Sequence, residues 1–144
     1  MNHIEANHIL KRIIDNAEIG VESRRGKWGE EQINAYPLEL IELYVYGGYL
    51  KKRTMTDLDL IATYNKLSES DYRRHLKHYE AGRNTFKEAA DKLISPYDHK
   101  SVHLQLHPLD YDFKVRLLVG GKPYGEGNPI DVYQRIWFNT KVEL

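Results

Sequence analysis

The chain has 144 residues, of which 41% are hydrophobic and 29% are charged, so it can bury the core of about one domain. Its 21 Lys and Arg residues balance its 21 Asp and Glu residues, which excludes the strongly basic composition of a dedicated nucleic-acid-binding protein. The sequence contains no cysteine, and this excludes disulfides, thiolate metal sites and cysteine nucleophiles.

Two further features of the sequence bear on localisation. No apolar run approaches the roughly 20 residues of a membrane-spanning helix. The first residues lack the basic region followed by an apolar region that is typical of a signal peptide. We therefore expect a small cytoplasmic protein without membrane association, with one domain over residues 1–144.

The first half of the chain predicts one helix and two strands. Apolar residues at helical spacing predict an amphipathic helix over residues 3–19. Residues 20–35 are charged and contain three glycines, which predicts an exposed connector to a core over residues 36–144. β-branched and aromatic residues predict strands near 40–46 and 57–64. The second strand ends in a continuous apolar run, which is typical of a strand buried on both faces.

The second half predicts a helical region followed by strands. Residues 69–94 read as helical, with Ser68 or Ser70 as the N-cap and Gly82 as a point where the helix divides in two. The apolar face of this region comprises Tyr72, Leu76, Tyr79, Phe86, Ala90 and Leu93. We expect Tyr72 and Tyr79 in the core. Strands are predicted at 101–107, at 111–119 and, after a turn at 120–129, at 130–138. This order of elements predicts an α+β fold.

Two acidic residues at the start of the second predicted strand indicate a metal site. Asp57 and Asp59 lie on the same face of a strand, about 6.5 Å apart. Two such carboxylates repel each other and lose solvation in an enclosed site. A divalent cation removes this conflict, and Mg²⁺ prefers carboxylates together with phosphate oxygens and water. Two such ions can align an in-line phosphoryl displacement, so we expect a two-ion Mg²⁺ site.

The segment before these acids suits a bound phosphate chain. A glycine pair directly after the first strand lets the backbone approach a ligand closely and offers N–H groups to phosphate oxygens. The basic run that follows can meet the charge of a triphosphate, and the tyrosine beside the glycines can contact a base or sugar. The predicted nucleotide-binding residues are Gly47, Gly48, Tyr49, Lys51, Lys52 and Arg53.

In combination, these motifs over residues 40–64 resemble the nucleotidyltransferase superfamily of the DNA polymerase β type. The resemblance implies a short mixed sheet with helices on one side. It also implies transfer of a nucleoside monophosphate from a nucleoside triphosphate to an acceptor hydroxyl, with release of pyrophosphate. In this reading the glycines hold the phosphates, and Asp57 and Asp59 bind magnesium. The acceptor, whether RNA, a protein or a small molecule, stays open.

The resemblance further implies a third carboxylate on a later strand. The predicted strand at 101–107 contains no acid, so Asp112 is the predicted third catalytic and metal-binding residue, with Asp131 as the alternative. If neither reaches the pair, the resemblance implies a catalytically degenerate nucleotide-binding protein or an antitoxin-type regulator with a protein partner. A third reading is a structural protein in which Asp57 and Asp59 lie against Lys or Arg partners.

Two histidine pairs are candidate transition-metal ligands. His103 and His107 share a face if 101–107 is a strand, and His75 and His78 share a helix face. Either pair could contribute to such a site. Because no further ligands stand at a recognisable spacing, we interpret all four as surface or hydrogen-bonded histidines.

Overall fold

A computed structural model describes residues 1–24, 38–51, 54–109 and 133–141. The described chain is α+β. Its elements are α1 (His3–Arg24), β1 (Leu40–Tyr46), α2 (Gly48–Lys51), β2 (Leu58–Tyr64), α3 (Glu69–Glu80), α4 (Thr85–Ile94), β3 (Val102–Pro108) and β4 (Tyr133–Phe138). The strand predicted at 111–119 and the turn at 120–129 lie outside the described residues.

The four described strands form one mixed sheet in the order β3-β2-β1-β4. Strand β1 is antiparallel to both β2 and β4, whereas β3 is parallel to β2. Parallel neighbours need a crossover connection, and α3 and α4 lie in that connection. The predicted α+β class with a short mixed sheet is confirmed for the described residues.

The two faces of the sheet differ in chemistry because side chains alternate along each strand. One face is apolar and packs with α1 and α4 in a single core. Its strand residues include Leu43, Val45, Leu58, Leu60, Ala62 and Val102, and its helix residues include Ile9, Ile13, Ala17, Ala89 and Leu93. The other face carries polar side chains from all four strands. The candidate site described below lies on this polar face.

A buried carboxylate joins three strands on the polar face. Glu42 of β1 is buried and accepts hydrogen bonds from the hydroxyls of Tyr44, at 2.6 Å, and Thr63, at 3.3 Å. The guanidinium of Arg135 on β4 lies 3.4 Å from the same carboxylate. Burial and the adjacent Glu42 carboxylate raise the pKa of the Tyr44 phenol, so this hydroxyl stays protonated as a donor.

Helix α1 is longer than predicted. It ends at Arg24 rather than at residue 19, so the first part of the predicted connector is helical. Gly20 and Val21 are buried against the protein, and the guanidinium of Arg24 lies 2.6 Å from the carboxylate of Asp71 on α3. Tertiary packing therefore outweighs the low helix propensity of glycine at this position.

The predicted division of residues 69–94 into two helices is confirmed. Of the two alternatives for the N-cap of the first helix, the structure shows Ser68. Ser68 accepts a hydrogen bond from the backbone N–H of Asp71 at 3.2 Å, which caps α3. Gly82 has a φ of +76°, a conformation that side chains disfavour, and it lies in the turn between α3 and α4.

The prediction that the apolar face of α3 lies in the core is wrong. Tyr72, Leu76 and Tyr79 are exposed, whereas Phe86, Ala90 and Leu93 of α4 pack in or against the core. Within α3, which is described throughout, Asp71 is the buried residue. After the turn at Gly82, α4 takes the position against the sheet, and α3 lies outside it.

None of the helices in the described parts of the chain combines the length and the apolar character needed to cross a lipid bilayer.

The central strand β2 should dominate stability. Leu60 is fully buried, so Leu60→Ala should lower the free energy of unfolding by roughly 2–5 kcal/mol, through lost burial and a cavity. The matched control Ile4→Ala removes an apolar side chain that is 80% exposed, and it should cost less than about 0.5 kcal/mol. Urea unfolding followed by circular dichroism measures both, and equal losses would contradict the described core.

Candidate metal centre

The candidate site begins where β1 ends. Gly47 has a φ of +70°, which is strained for residues with a side chain. The carbonyl of Gly47 accepts a hydrogen bond from the backbone N–H of Leu50 at 3.0 Å, so the chain turns directly into the short helix α2. The turn returns the chain toward β2, the strand that carries the acidic pair.

Gly47 lies directly against Asp59. A Cβ atom on Gly47 would stand 2.5 Å from the carboxylate oxygen Oδ2 of Asp59, much closer than nonbonded atoms approach. At Gly48, a Cβ would stand 3.2 Å from the Cβ of Met55, a tight contact. The first glycine is thus required by both its conformation and its neighbour, and that neighbour is one of the predicted metal ligands.

The two predicted carboxylates lie side by side. Asp57 immediately precedes β2, and Asp59 is the second residue of that strand. About a quarter of each side chain is exposed. Burial and the nearby charge of Asp57 raise the pKa of Asp59, and His103 partly offsets this. The ionised form of Asp59 is therefore unfavourable in this environment.

A histidine, rather than a lysine or arginine, faces the two acids. The ring nitrogens of His103 lie 3.3 Å (Nε2) from Asp57 Oδ2 and 3.4 Å (Nδ1) from Asp59 Oδ1. Among the described residues, no Lys or Arg forms an ion pair with either carboxylate. The third sequence reading, in which such partners neutralise the pair, therefore has no support in the described part of the chain.

The carboxylates open onto a cavity of about 400 Å³. The residues that line it are Met1, Gly48, Thr54, Met55, Thr56, Asp57 and Asp59. Its volume falls in the range of small-molecule sites, roughly 300–1,000 Å³. The cavity therefore has room for a ligand that reaches both carboxylates, and two threonines are among its lining residues.

The residues present fit a divalent cation. Asp57, Asp59 and His103 each offer one ligand atom, and the three atoms lie within 4.8 Å of one another. Carboxylates satisfy Mg²⁺ or Mn²⁺, and imidazole adds affinity for transition metals. The arrangement can hold one dication between the sheet and the cavity, where it would neutralise the charge of the acidic pair.

The structure brings together only part of the predicted site. The glycine pair and the two acids meet at one end of the sheet. Tyr49 instead contacts α1: its hydroxyl donates to Asn7 Oδ1 at 2.5 Å, and its carbonyl lies 2.7 Å from His3 Nε2. Lys51 ends α2 and is exposed. The remaining predicted residues, Lys52, Arg53, Asp112 and its alternative Asp131, lie outside the described residues.

His103 is the residue that sequence reasoning undervalued. The sequence pattern relates His103 to His107 on the same strand face and not to the two acids. The parallel pairing of β3 with β2, which sets Asp59 opposite His103, is a long-range contact without a local signal. The available hint was an acid-free strand with a histidine between two apolar residues, Val102 and Leu104.

Comparison of this chain with protein-family models, with curated proteins and with solved structures gives no match.

Removing the charge of Asp59 should stabilise the metal-free protein. The raised pKa of Asp59 means that the native state holds this proton more tightly than the unfolded state does. The contribution of Asp59 to stability is therefore fully present below its unfolded pKa of about 3.9 and is lost as pH rises through its folded pKa. With EDTA at pH 7, Asp59→Asn should raise Tm by a few degrees, and it should remove this part of the pH dependence.

The control is Asp91→Asn. The hydrogen bond from His99 lowers the pKa of Asp91, so its ionised form is favoured and the variant should not gain stability. Differential scanning calorimetry between pH 4 and 8 separates the two. A lower Tm for Asp59→Asn across this range would contradict the assigned electrostatics.

Gly47→Ala tests the close approach at the turn. The added methyl group meets Asp59 Oδ2 in an unfavourable backbone conformation, so we expect loss of stability by roughly 1 kcal/mol or more and loss of dication binding. Gly82→Ala is a matched control because Gly82 shares the positive φ but has open space around its Cβ position. It should lose stability and keep dication binding, as measured by calorimetry. Unchanged dication binding in Gly47→Ala would contradict the close approach.

Proposed function

We propose that this protein binds a nucleoside triphosphate together with a divalent cation at the Asp57–Asp59 cavity and transfers the nucleoside monophosphate to an acceptor hydroxyl. The observation that carries the proposal is the contact between Gly47 and Asp59. This contact places a turn whose glycine has no side chain beside a pair of carboxylates, at the edge of a cavity large enough for a ligand. The motif resemblance described above adds the reaction type.

The charge arrangement supports a ligand that is itself anionic and metal-bound. Two adjacent acids repel a bare phosphate chain, so a cation is needed between them. Asp57 and Asp59 would hold that cation, which would supply charge neutralisation for phosphate oxygens. Thr54 and Thr56 line the same cavity, and a threonine hydroxyl can donate a hydrogen bond to such an oxygen.

The glycine turn supports close approach of the phosphate chain. At Gly47 no side chain stands between the backbone and the Asp59 carboxylate, and Gly48 is part of the cavity wall. A phosphate bound there would lie beside the backbone and beside the cation-binding acids together. Catalysis at such a site would consist mainly of positioning and electrostatic stabilisation.

The proposed step needs only two reactants, the nucleoside triphosphate and the acceptor hydroxyl, and it conserves atoms and charge. The acceptor hydroxyl oxygen forms a bond to the α-phosphorus of the triphosphate. The bond from the α-phosphorus to the bridging oxygen breaks, and its electron pair leaves with pyrophosphate. The hydroxyl proton passes to solvent. Asp57 and Asp59 would take no part in this proton transfer, because their role is to hold the cation beside the phosphates.

Triphosphate binding without transfer is the second candidate function. One observation favours it: the side chain that β3 sets opposite Asp59 is His103, where the resemblance implies a carboxylate on a later strand. A site with two carboxylates and an imidazole can retain a cation and a triphosphate. Among the described residues it lacks the third carboxylate that the resemblance implies, and such a protein would act as a nucleotide sensor or regulator.

Asp57→Asn and Asp59→Asn should each weaken cation-dependent triphosphate binding by about tenfold or more, because each removes one charged ligand. Isothermal calorimetry with ATP and GTP, with Mn²⁺ or Mg²⁺ and then with EDTA, measures this. The surface variant Asp91→Asn is the matched control and should bind as the wild type does.

Three outcomes separate the candidates. Binding with release of pyrophosphate in the presence of an acceptor supports transfer. Binding without pyrophosphate release, across RNA, protein and small-molecule acceptors, favours the sensor. Wild-type affinity for the triphosphate in Asp59→Asn would overturn both candidate functions, because both place the cation on that carboxylate.

A further inference from the structure

The register of the sheet fixes His103 beside the acidic pair. Strand β3 is parallel to β2, and Asp59 pairs with His103 across the two strands. Neighbouring strands lie about 4.8 Å apart, so paired side chains on one face touch. The His103 side chain is half exposed and is therefore accessible from the polar face of the sheet.

Both ring nitrogens of His103 face carboxylate oxygens, Nε2 toward Asp57 and Nδ1 toward Asp59. A neutral imidazole donates from only one nitrogen, and its other nitrogen carries a lone pair. With a neutral ring, one of the two contacts therefore sets a lone pair against a carboxylate oxygen. Either a second proton on the ring or a cation bound by the free nitrogen removes this repulsion.

The spacing of the two carboxylates and the imidazole fits a cation bound among them. The ligand atoms of Asp57, Asp59 and His103 lie within 4.8 Å of one another. In an octahedral complex with bonds of about 2.1 Å, ligand atoms lie about 3.0 Å apart when adjacent and about 4.2 Å apart when opposite. Small side-chain rotations therefore bring all three atoms into contact with one ion.

We propose that His103 is a metal ligand and that the site selects a first-row transition dication, such as Mn²⁺, Co²⁺ or Zn²⁺, over Mg²⁺. Imidazole nitrogen suits these ions, whereas Mg²⁺ takes oxygen ligands and sheds water reluctantly. The inference rests on the cation site of the proposed function and names its metal. It departs from the Mg²⁺ expectation drawn from the two carboxylates alone.

The test compares metals on the full chain after treatment with EDTA. By isothermal calorimetry, the wild type should bind Mn²⁺ at least about tenfold more tightly than Mg²⁺. His103→Ala should weaken Mn²⁺ binding by about tenfold or more and change Mg²⁺ binding little. His103→Asp supplies a carboxylate in its place and should shift the preference toward Mg²⁺.

The matched control is His107→Ala. His107 lies four residues further along β3 on the same face and contacts the Gln105 amide at 3.3 Å, so its removal should leave the metal preference unchanged. Thermal melts of every variant verify folding. A second measurement needs no variant: electron spin echo modulation of Mn²⁺ bound to the wild type should show coupling to an imidazole ¹⁴N nucleus.

The possible outcomes distinguish failure of the histidine ligand from failure of the proposed function. Dication binding that depends on Asp57 and Asp59, with no ¹⁴N coupling and with equal affinity in His103→Ala, overturns the histidine ligand and leaves the proposed function standing. Absence of binding of any dication to the wild type overturns both. A tenfold Mn²⁺ preference that His103→Asp shifts toward Mg²⁺ supports the inference.

Discussion

The candidate site depends on the position of β2 between an antiparallel and a parallel neighbour. Asp59 pairs with Tyr46 on one side and with His103 on the other. The antiparallel partner brings the turn at Gly47 back onto Asp59, and the parallel partner delivers an imidazole to the same point. Because a shift of one residue would reverse the face of each side chain, the apolar core beneath β2 fixes the register and hence the chemistry above it.

Local sequence patterns predict the strands that carry this site better than they predict the full set of residues that form it. The Asp-x-Asp pair and the glycine pair lie close in the chain, and strand alternation alone sets both acids on one face. The strands near 40–46 and 57–64 carried strong apolar and β-branched signals. The α+β class predicted from these features is confirmed for the described chain, and the structure adds the close approach of Gly47 to Asp59.

Long-range contacts account for what the sequence could not predict. His103 reaches the acids through a strand pairing across 44 positions of chain, which no periodicity encodes. The length of α1 depends on burial of Gly20 and on the ion pair between Arg24 and Asp71. Helix α3 has an apolar face typical of a core helix, yet α4 packs against the sheet. The two helices have similar sequence patterns, so tertiary packing decides which of them joins the core.

The loose attachment of α3 has a consequence for how the molecule fluctuates. The contacts of this helix include the Arg24–Asp71 ion pair and those of His75 with Thr85 and with the Phe86 ring, but the helix contributes little to the apolar core. Regions with few buried apolar contacts open at a lower free-energy cost than the global unfolding reaction. Helix α3 can therefore unfold locally, and exchange its amide hydrogens early, while the strands beneath the metal centre stay assembled.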